Sequence, residues 1–221
     1  MTITEAMTAR HAVRQFADRP IEGETLALLR DEAAVCSGLG NLRIDLVMDE
    51  PEAFGGFLTH YGIFSGARNY MTIVGERSPD LQERVGYYGE KVVLRAQQLG
   101  LNTCWVAVSY RRKKCHVTLS AGEKMVCVIP VGYGVSPGVP HRNKPIKKLF
   151  CASHPIPKWF GNGMQAAMLA PTARNQQRFL LTLEGEQVRA LATGGQFSNI
   201  DLGIVKCHFE LGSGYGSELW V

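Results

Sequence analysis

The sequence predicts a mixed α and β fold. Stretches with apolar residues at helical spacing alternate along the chain with short runs of β-forming residues. Its 221 residues, 45% of them hydrophobic, are enough for a sizeable core in one large domain or two small ones. Basic residues outnumber acidic ones by 24 to 20, a formal charge of +4, without any long like-charge block. Such a balance suits an anionic cofactor as well as a nucleic acid and decides little by itself.

Thr2, with Glu5 three residues later, forms a capping box ahead of a first helix carrying Ala6, Met7 and Ala9. After Pro20, EGETLALLRDEAAV has leucines and alanines at helical spacing and stops near Ser37, Gly38 and Gly40. LRIDLVMDE alternates and ends in charge, as a strand does. NYMTIVGE is a short apolar run rich in β-formers, the mark of a buried strand. In SPDLQERVGYYGEKVVLRAQQLG, Ser78 is set to cap, Pro79 suits the first helical position and Gly100 supplies a left-handed stop. KMVCVIPVGYG is another buried strand, closed by a Gly-rich turn, and the Pro-rich stretch from Val135 to Pro157 is expected as an extended connection. KWFGNGMQAAMLAPTARN then predicts a helix leading into the strand QRFLLTLEG; SNIDLGIVKCHFELGSG predicts a last helix and ELWV a short strand. EAAVCSGLGNLRIDLVMDE and QAAMLAPTARNQQRFLLTLEG share an alanine pair, a small polar turn, an asparagine and a strand. That is either chance likeness between two helix-to-strand turns or a degenerate internal duplication.

Cys36, Cys104, Cys115, Cys127, Cys151 and Cys207 form no C-x-x-C pair, and several lie in apolar runs, which predicts reduced, mostly buried thiols. The N-terminal MTITEAMTARHAVRQF lacks the apolar core of a signal peptide, and no run approaches the roughly 18 apolar residues of a membrane span. A soluble, cytoplasmic protein is expected. His11, His60, His116, His141, His154 and His208 show no metal-ligand spacing, so no metal is expected. A P-loop lysine, a G-x-G-x-x-G turn after a strand and a G-x-S-x-G elbow are all missing, which speaks against a nucleoside triphosphate, a Rossmann dinucleotide site and a hydrolase.

Three stretches carry candidate chemistry. RHAVRQF places Arg10 and Arg14 four apart, on one face if the backbone is helical, with His11 between them: a planar phosphate receptor, or a solvated basic face. HRNKPIKKLF offers Arg142 and Lys144 on an extended strip, able to complete a phosphate clamp or simply to face solvent. GLNTCWVAVSY packs Cys104, Trp105 and Val106 after a glycine stop, suited to a wall against a flat aromatic ligand or to a core strand.

Taken in order, these motifs resemble the nitroreductase family of flavin enzymes. RHAVRQFADRPI is similar to its R-x-S-x-R-x-F…P-I segment, GLNTCWVA to G-L-G-T-C-W-I-G, VIPVGYG and RNKPIKKL to its strand, G-Y-P turn and R-x-K-P-L strip, and APTARNQQRF to its A-P-S-x-x-N-x-Q-P-W loop. In ordinary members that loop follows the first helix pair; here CSGLGNLRID holds that place and the better match comes near the C-terminus. This order, with GYYGEKVVLRAQQLGLNTCWVA and DLGIVKCHFEL, resembles the TM nitroreductase branch.

The resemblance implies an α+β fold with a central mixed or antiparallel sheet flanked by helices and two pseudo-symmetric halves in one compact chain. Residues 1–150 would form the first half and 151–221 a shortened second half that supplies the loop given by a partner subunit in the family's dimers. It implies FMN, a ping-pong exchange of hydride from NAD(P)H to a nitroaromatic, quinone or similar acceptor, and no catalytic acid or base from the protein. Neither a nucleic acid nor a membrane partner is expected, and the chain would be a monomeric pseudo-dimer or a further homodimer. Carried over by motif, Arg10, His11, Ala12 and Arg14 would meet the phosphate, ribityl chain and ring edge, with Arg142 and Lys144 completing the phosphate site. Arg14 and Asn175 would serve the pyrimidine edge. Val106, Ala107 and Val108 would stand beside the reactive edge, and Pro171, Thr172, Ala173 and Asn175 would form the loop from the other half. Ala12 stands where the family has serine, removing one hydroxyl. Two rival readings stay open: a flavin storage protein with little turnover, and a scaffold whose cleft is closed by Trp105, Trp159 or Trp220. The expected arrangement is one FMN per chain, between residues 10–14 and 171–175.

Overall fold

The computed structural model describes residues 1–55, 64–153 and 155–221. Helix α1, Ile3–Ala9, opens with the expected capping box: the Glu5 N–H donates to Thr2 Oγ1 at 3.2 Å while the Thr2 N–H donates to Glu5 Oε2 at 2.7 Å. Helix α2, Gly23–Gly40, runs through Ser37 and Gly38 to end where Asn41 turns left-handed at φ 45°. Ser37 Oγ accepts the Ile44 N–H at 3.0 Å, tying that turn to strand β1, Arg43–Val47. Strand β2, Tyr70–Glu76, is buried over six of its residues, as an unbroken apolar run requires. Helix α3, Leu81–Gln98, starts after Ser78 and Pro79: Ser78 Oγ donates to Asp80 Oδ1 at 2.6 Å, which leaves Asp80 as the first cap position.

Short strand β3, Asn102–Thr103, and long strand β4, Glu123–Gly132, complete a four-stranded antiparallel sheet in the order β1-β2-β4-β3. Strand β5, Phe150–Ala152, lies within the stretch expected as a bare connection and pairs parallel with β6, Phe179–Glu184. Three residues carry too little local pattern to announce a strand; the partner imposes it. Strand β7, Gln187–Ala192, was likewise unforeseen and pairs antiparallel with β6 across a tight turn. Helices α4, Lys158–Ala167, and α5, Ser198–Ser213, fall where their patterns predict. ELWV is not a strand of its own: Ser217–Leu219 forms a single 3-10 turn and Trp220 bridges Val188.

One apolar core joins Ile73, Val92 and Ile129 from the first sheet and α3 to Phe160, Leu181 and Phe209 from α4, β6 and α5. Each such side chain contributes about 1.5–3 kcal/mol by leaving water. At its centre α3 crosses α5 at two glycines. A Cβ at Gly86 would overlap the Ile200 carbonyl oxygen, and one at Gly203 would overlap the Glu83 carbonyl oxygen. The helices touch backbone to backbone, and the two contacts are mirror statements of each other: each glycine meets the residue three before its counterpart. The α+β class with antiparallel and mixed sheets is therefore as the sequence predicts. Among the described residues no helix is long and apolar enough to cross a membrane.

Candidate active site

Both ends of the chain meet at a cleft of about 870 Å³, within the roughly 300–1,000 Å³ of ordinary ligand sites. RHAVRQF is not helical there. Arg10 ends α1 in extended conformation, and the chain continues through bridges from Ala12 to Thr103, Gln15 to Ser65 and Phe16 to Gly134. Alternate residues of an extended chain point the same way. Arg10, Ala12 and Arg14 therefore line the cleft, while Val13 enters the core. His11 packs at Gly138, where a Cβ would come within 2.8 Å of its own. Burial and the neighbouring Arg10 lower the His11 pKa. The two arginines share a face because four is an even step along a strand.

The second wall is Cys104 to Ser109. Val106 exchanges both backbone hydrogen bonds with Val128 of β4, at 3.0 and 2.9 Å, which pins Val106, Ala107 and Val108 at the cleft and commits the Val106 N–H to the sheet. Trp105 also lines the cleft, and its indole N–H donates to Glu90 Oε2 at 2.8 Å. Glu90, fully buried on α3, lies 2.9 Å from His208 Nε2 and 3.6 Å from Arg10 Nε through its other oxygen. The longer separation is an ion pair rather than a hydrogen bond. Among the described residues Arg10 Nε and His208 Nδ1 have no hydrogen-bond partner. One carboxylate thus anchors Arg10 and Trp105 from behind.

The third wall is the segment after α4. Pro171, Thr172, Ala173, Arg174, Gln176 and Arg178 line the cleft, opposite Ile200, Asp201 and Ile204 of α5. Arg174, Asn175 and Gln177 all take left-handed backbone, at φ 52°, 53° and 43°, each at a cost of about 1–2 kcal/mol. Asp201, 3% exposed, accepts the Ala173 N–H at 2.9 Å and the Gln176 side-chain amide at 2.8 Å. Burial pushes the Asp201 carboxyl up to about 6 against the pull of those two bonds.

Of the residues expected at the site, Arg10, Ala12, Arg14, Val106, Ala107, Val108, Pro171, Thr172 and Ala173 come together in this cleft. His11, Arg142, Lys144 and Asn175 do not line it. Asn175 donates its amide to the Arg142 carbonyl at 2.7 Å and accepts from Gln177 Nε2 at 2.6 Å. Lys144 Nζ donates to the carbonyls of Gln176 and Gln177 at 2.5 and 3.2 Å. The basic strip braces the loop from outside. The cations that join Arg10 and Arg14 at the cleft are Arg174 and Arg178, which no motif marks although they repeat the four-residue spacing of Arg10 and Arg14. No motif marks Asp201 either; its signal is an acid in the first turn of an otherwise apolar helix. All six cysteines are free, with Cys151 exposed and the others buried. His60 and His154 lie outside the described residues, and among those described no group of His, Cys, Asp or Glu could hold a metal.

A protein-family model described as "Putative TM nitroreductase" matches residues 2–213. Among solved structures, one described as a "putative nitroreductase" from Thermotoga maritima MSB8 is 21% identical, with 96% of this chain and 83% of that chain covered at a TM-score of 0.64. A "putative nitroreductase in complex with FMN" from Desulfovibrio desulfuricans is 17% identical, with 71% and 99% covered and a TM-score of 0.55. A "Putative NADH dehydrogenase/NAD(P)H nitroreductase" from Bacteroides thetaiotaomicron VPI-5482 is 23% identical, with 66% and 95% covered and a TM-score of 0.52. At these identities the structural likeness speaks for the fold alone. No curated protein matches the chain. With the family model spanning nearly its whole length, this chain belongs to the family described as "Putative TM nitroreductase".

Proposed function

We propose that the protein is an FMN-dependent NAD(P)H oxidoreductase that reduces nitroaromatics, quinones or similar electron-poor acceptors. The observation that carries this is the make-up of the cleft: Arg10, Arg14, Arg174 and Arg178 stand on the same cavity as an apolar wall of Val106, Ile200 and Ile204. A phosphate bearing a flat aromatic ring needs that combination. The Desulfovibrio structure, described as an FMN complex, and the Bacteroides one, described by NAD(P)H, supply the cofactor and the donor as analogies.

The residues fit the group. Arginine forks take phosphate oxygens in pairs, and Arg10 lines the cleft while buried, its Nε ion-paired with Glu90 rather than hydrogen-bonded. When bound, FMN would supply the redox chemistry, taking a hydride from NAD(P)H and passing electrons to the acceptor in a second half-reaction. The protein's part is orientation. Val106, Ala107 and Val108 hold a fixed edge because β4 holds Val106, and the aliphatic wall excludes water. Asp201 is the one acid lining the cleft among the described residues, and both its oxygens accept hydrogen bonds. Ala12 offers no hydroxyl at its position, so retention rests on the arginines.

We read the chain as an internal pseudo-dimer with one such site. The order helix, two antiparallel strands, helix occurs as α2-β1-β2-α3 and again as α4-β6-β7-α5, and the glycine crossing of α3 on α5 relates the two. Trp159 and Trp220 pack around Phe209 and do not line the cleft, whereas Trp105 lines it with its indole N–H held by Glu90. Six free cysteines suit the reducing cytoplasm.

The purified protein is expected to show two visible flavin bands, one FMN per chain, and to oxidise NAD(P)H with menadione or a nitrofuran. A colourless protein that fails to take up added FMN would overturn the reading, and flavin without turnover would leave only storage. Arg14→Ala should weaken FMN binding about 10- to 100-fold, the loss of one charge-assisted contact.

A further inference from the structure

Among the described residues, one carboxylate and four guanidiniums line the cleft, and neither carboxylate oxygen accepts from an arginine side chain. Asp201 Oδ1 accepts from the Ala173 backbone and Oδ2 from the Gln176 amide. The same Gln176 amide donates to the Gln196 carbonyl at 2.9 Å. Asp201 thus ties Ala173 and Gln176 to α5, and Gln176 in turn ties the 195–197 segment, while Lys144 and Asn175 brace the same loop from outside. The segment it holds would not choose this shape unaided, because three of its residues are left-handed and none is glycine.

The other half of the molecule repeats the device with the charge reversed. Asp201 stands two residues before the crossing glycine of α5, and Arg84 stands two residues before that of α3. Arg84 Nη1 donates to the carbonyls of Gly40 and Asn41 at 2.7 and 2.9 Å, in the turn that joins α2 to β1. At matching places, each helix ties down the helix-to-strand turn of its own half. One turn is gripped by its carbonyls, the other by its amides.

We propose that Asp201 is a positioning residue, a latch whose ionised carboxylate holds the 171–177 loop in its cleft-lining form and so sets the affinity of the cleft for its phosphate-bearing ligand. The latch stands on the hydrogen bonds alone, and the ligand's identity rests on the function proposed above. Two donors converge on two oxygens, and the anion accepts both without conflict, whereas an asparagine turns an amide hydrogen toward one of them. Other charged groups on the same cleft are Arg10, Arg14, Arg174 and Arg178. Burial raises the Asp201 carboxyl to about 6 against the pull of these two bonds, so the anion is the form present at pH 7.5, where the latch is tested.

The test compares parent, Asp201→Asn and Gln176→Ala, the last keeping the charge and removing one donor. In ligand-free protein, amide hydrogen exchange of residues 171–177 should run about tenfold faster in Asp201→Asn than in the parent at pH 7.5, the loss of one charge-assisted bond, with the rest of the chain exchanging at the parent rate. Gln176→Ala should fall between them at pH 7.5. Equal exchange at pH 7.5, or an excess spread evenly over the chain rather than confined to 171–177, overturns the latch. Titration with FMN should show binding about tenfold weaker in Asp201→Asn at pH 7.5. Unaltered FMN affinity at pH 7.5 overturns the link between latch and cleft. A parent that binds no FMN sinks the proposed cofactor, and exchange still decides the latch.

Discussion

At the scale of single residues, two buried carboxylates behave differently because of what surrounds them. Glu90 is enclosed by a cation, a histidine and an indole N–H. Glu90→Ala leaves Arg10 buried without a counter-ion, and the expected loss is about 3–5 kcal/mol, read from urea unfolding; a loss below about 1 kcal/mol would show that Arg10 finds another partner or water. Asp201 has only dipoles for company, and its carboxyl is raised to about 6 from the ordinary 3.8. A raised acid binds its proton more tightly in the folded chain, so its contribution is full below about 4 and is lost as pH climbs through 6. Unfolding free energy of Asp201→Asn relative to the parent should therefore grow between pH 4.5 and 7.5, by about 2–3 kcal/mol. A flat difference would mean that the carboxylate is better solvated than its burial indicates. A group that costs stability at neutral pH and sits in the cleft is placed for function rather than for the fold.

At the scale of elements, the crossing of α3 on α5 is the tightest joint in the molecule. Gly203→Ala must push the two backbones apart, and about 2–3 kcal/mol is expected to be lost, seen as a Tm lowered by about 4–12 °C. Gly161, within α4 and with nothing near its missing side chain, supplies the opposite sign: Gly161→Ala should gain about 0.5–1 kcal/mol. If both variants lost stability alike, the close approach would not be the cause. The same joint shows what a sequence can disclose. The five helices among the described residues announced themselves, since capping and 3.6-residue spacing are local; Thr2 with Glu5 is a complete instruction. Strand β5 did not, because Phe150–Ala152 is extended only by virtue of β6, and β7 follows its turn with too few apolar positions to stand out. Arg10, Ala12 and Arg14 were legible as a set, and their motif carried them even though their backbone is extended rather than helical. Asn175, Arg142 and Lys144 were legible as residues but not in their work. Whether a polar side chain faces a ligand or a neighbouring carbonyl is settled by tertiary packing that no motif records, and the same holds for Asp201.

At the scale of the whole molecule, a single chain supplies every wall of the cleft described here. Arg10 and Arg14 come from the first segment, Val106 from the wall beside β4, and Pro171 to Arg178 from the segment after α4. The core that joins these segments is continuous, from Ile73 and Ile129 to Leu181 and Phe209, so the two sides of the cleft separate only on unfolding. This differs from a cleft that exists only between subunits, where dilution dissociates the dimer and releases its ligand by mass action. On the function proposed above, the Kd for FMN should therefore be the same at nanomolar and at ten-micromolar protein, measured by quenching of flavin fluorescence at fixed salt, with one flavin bound per chain at both. Sedimentation at the same concentrations would report whether copies associate, and the expected Kd is indifferent to that result. Flavin lost in step with dissociation, or a stoichiometry of one per two chains, would mean that a second copy completes the site and that the arginines of one chain do not suffice.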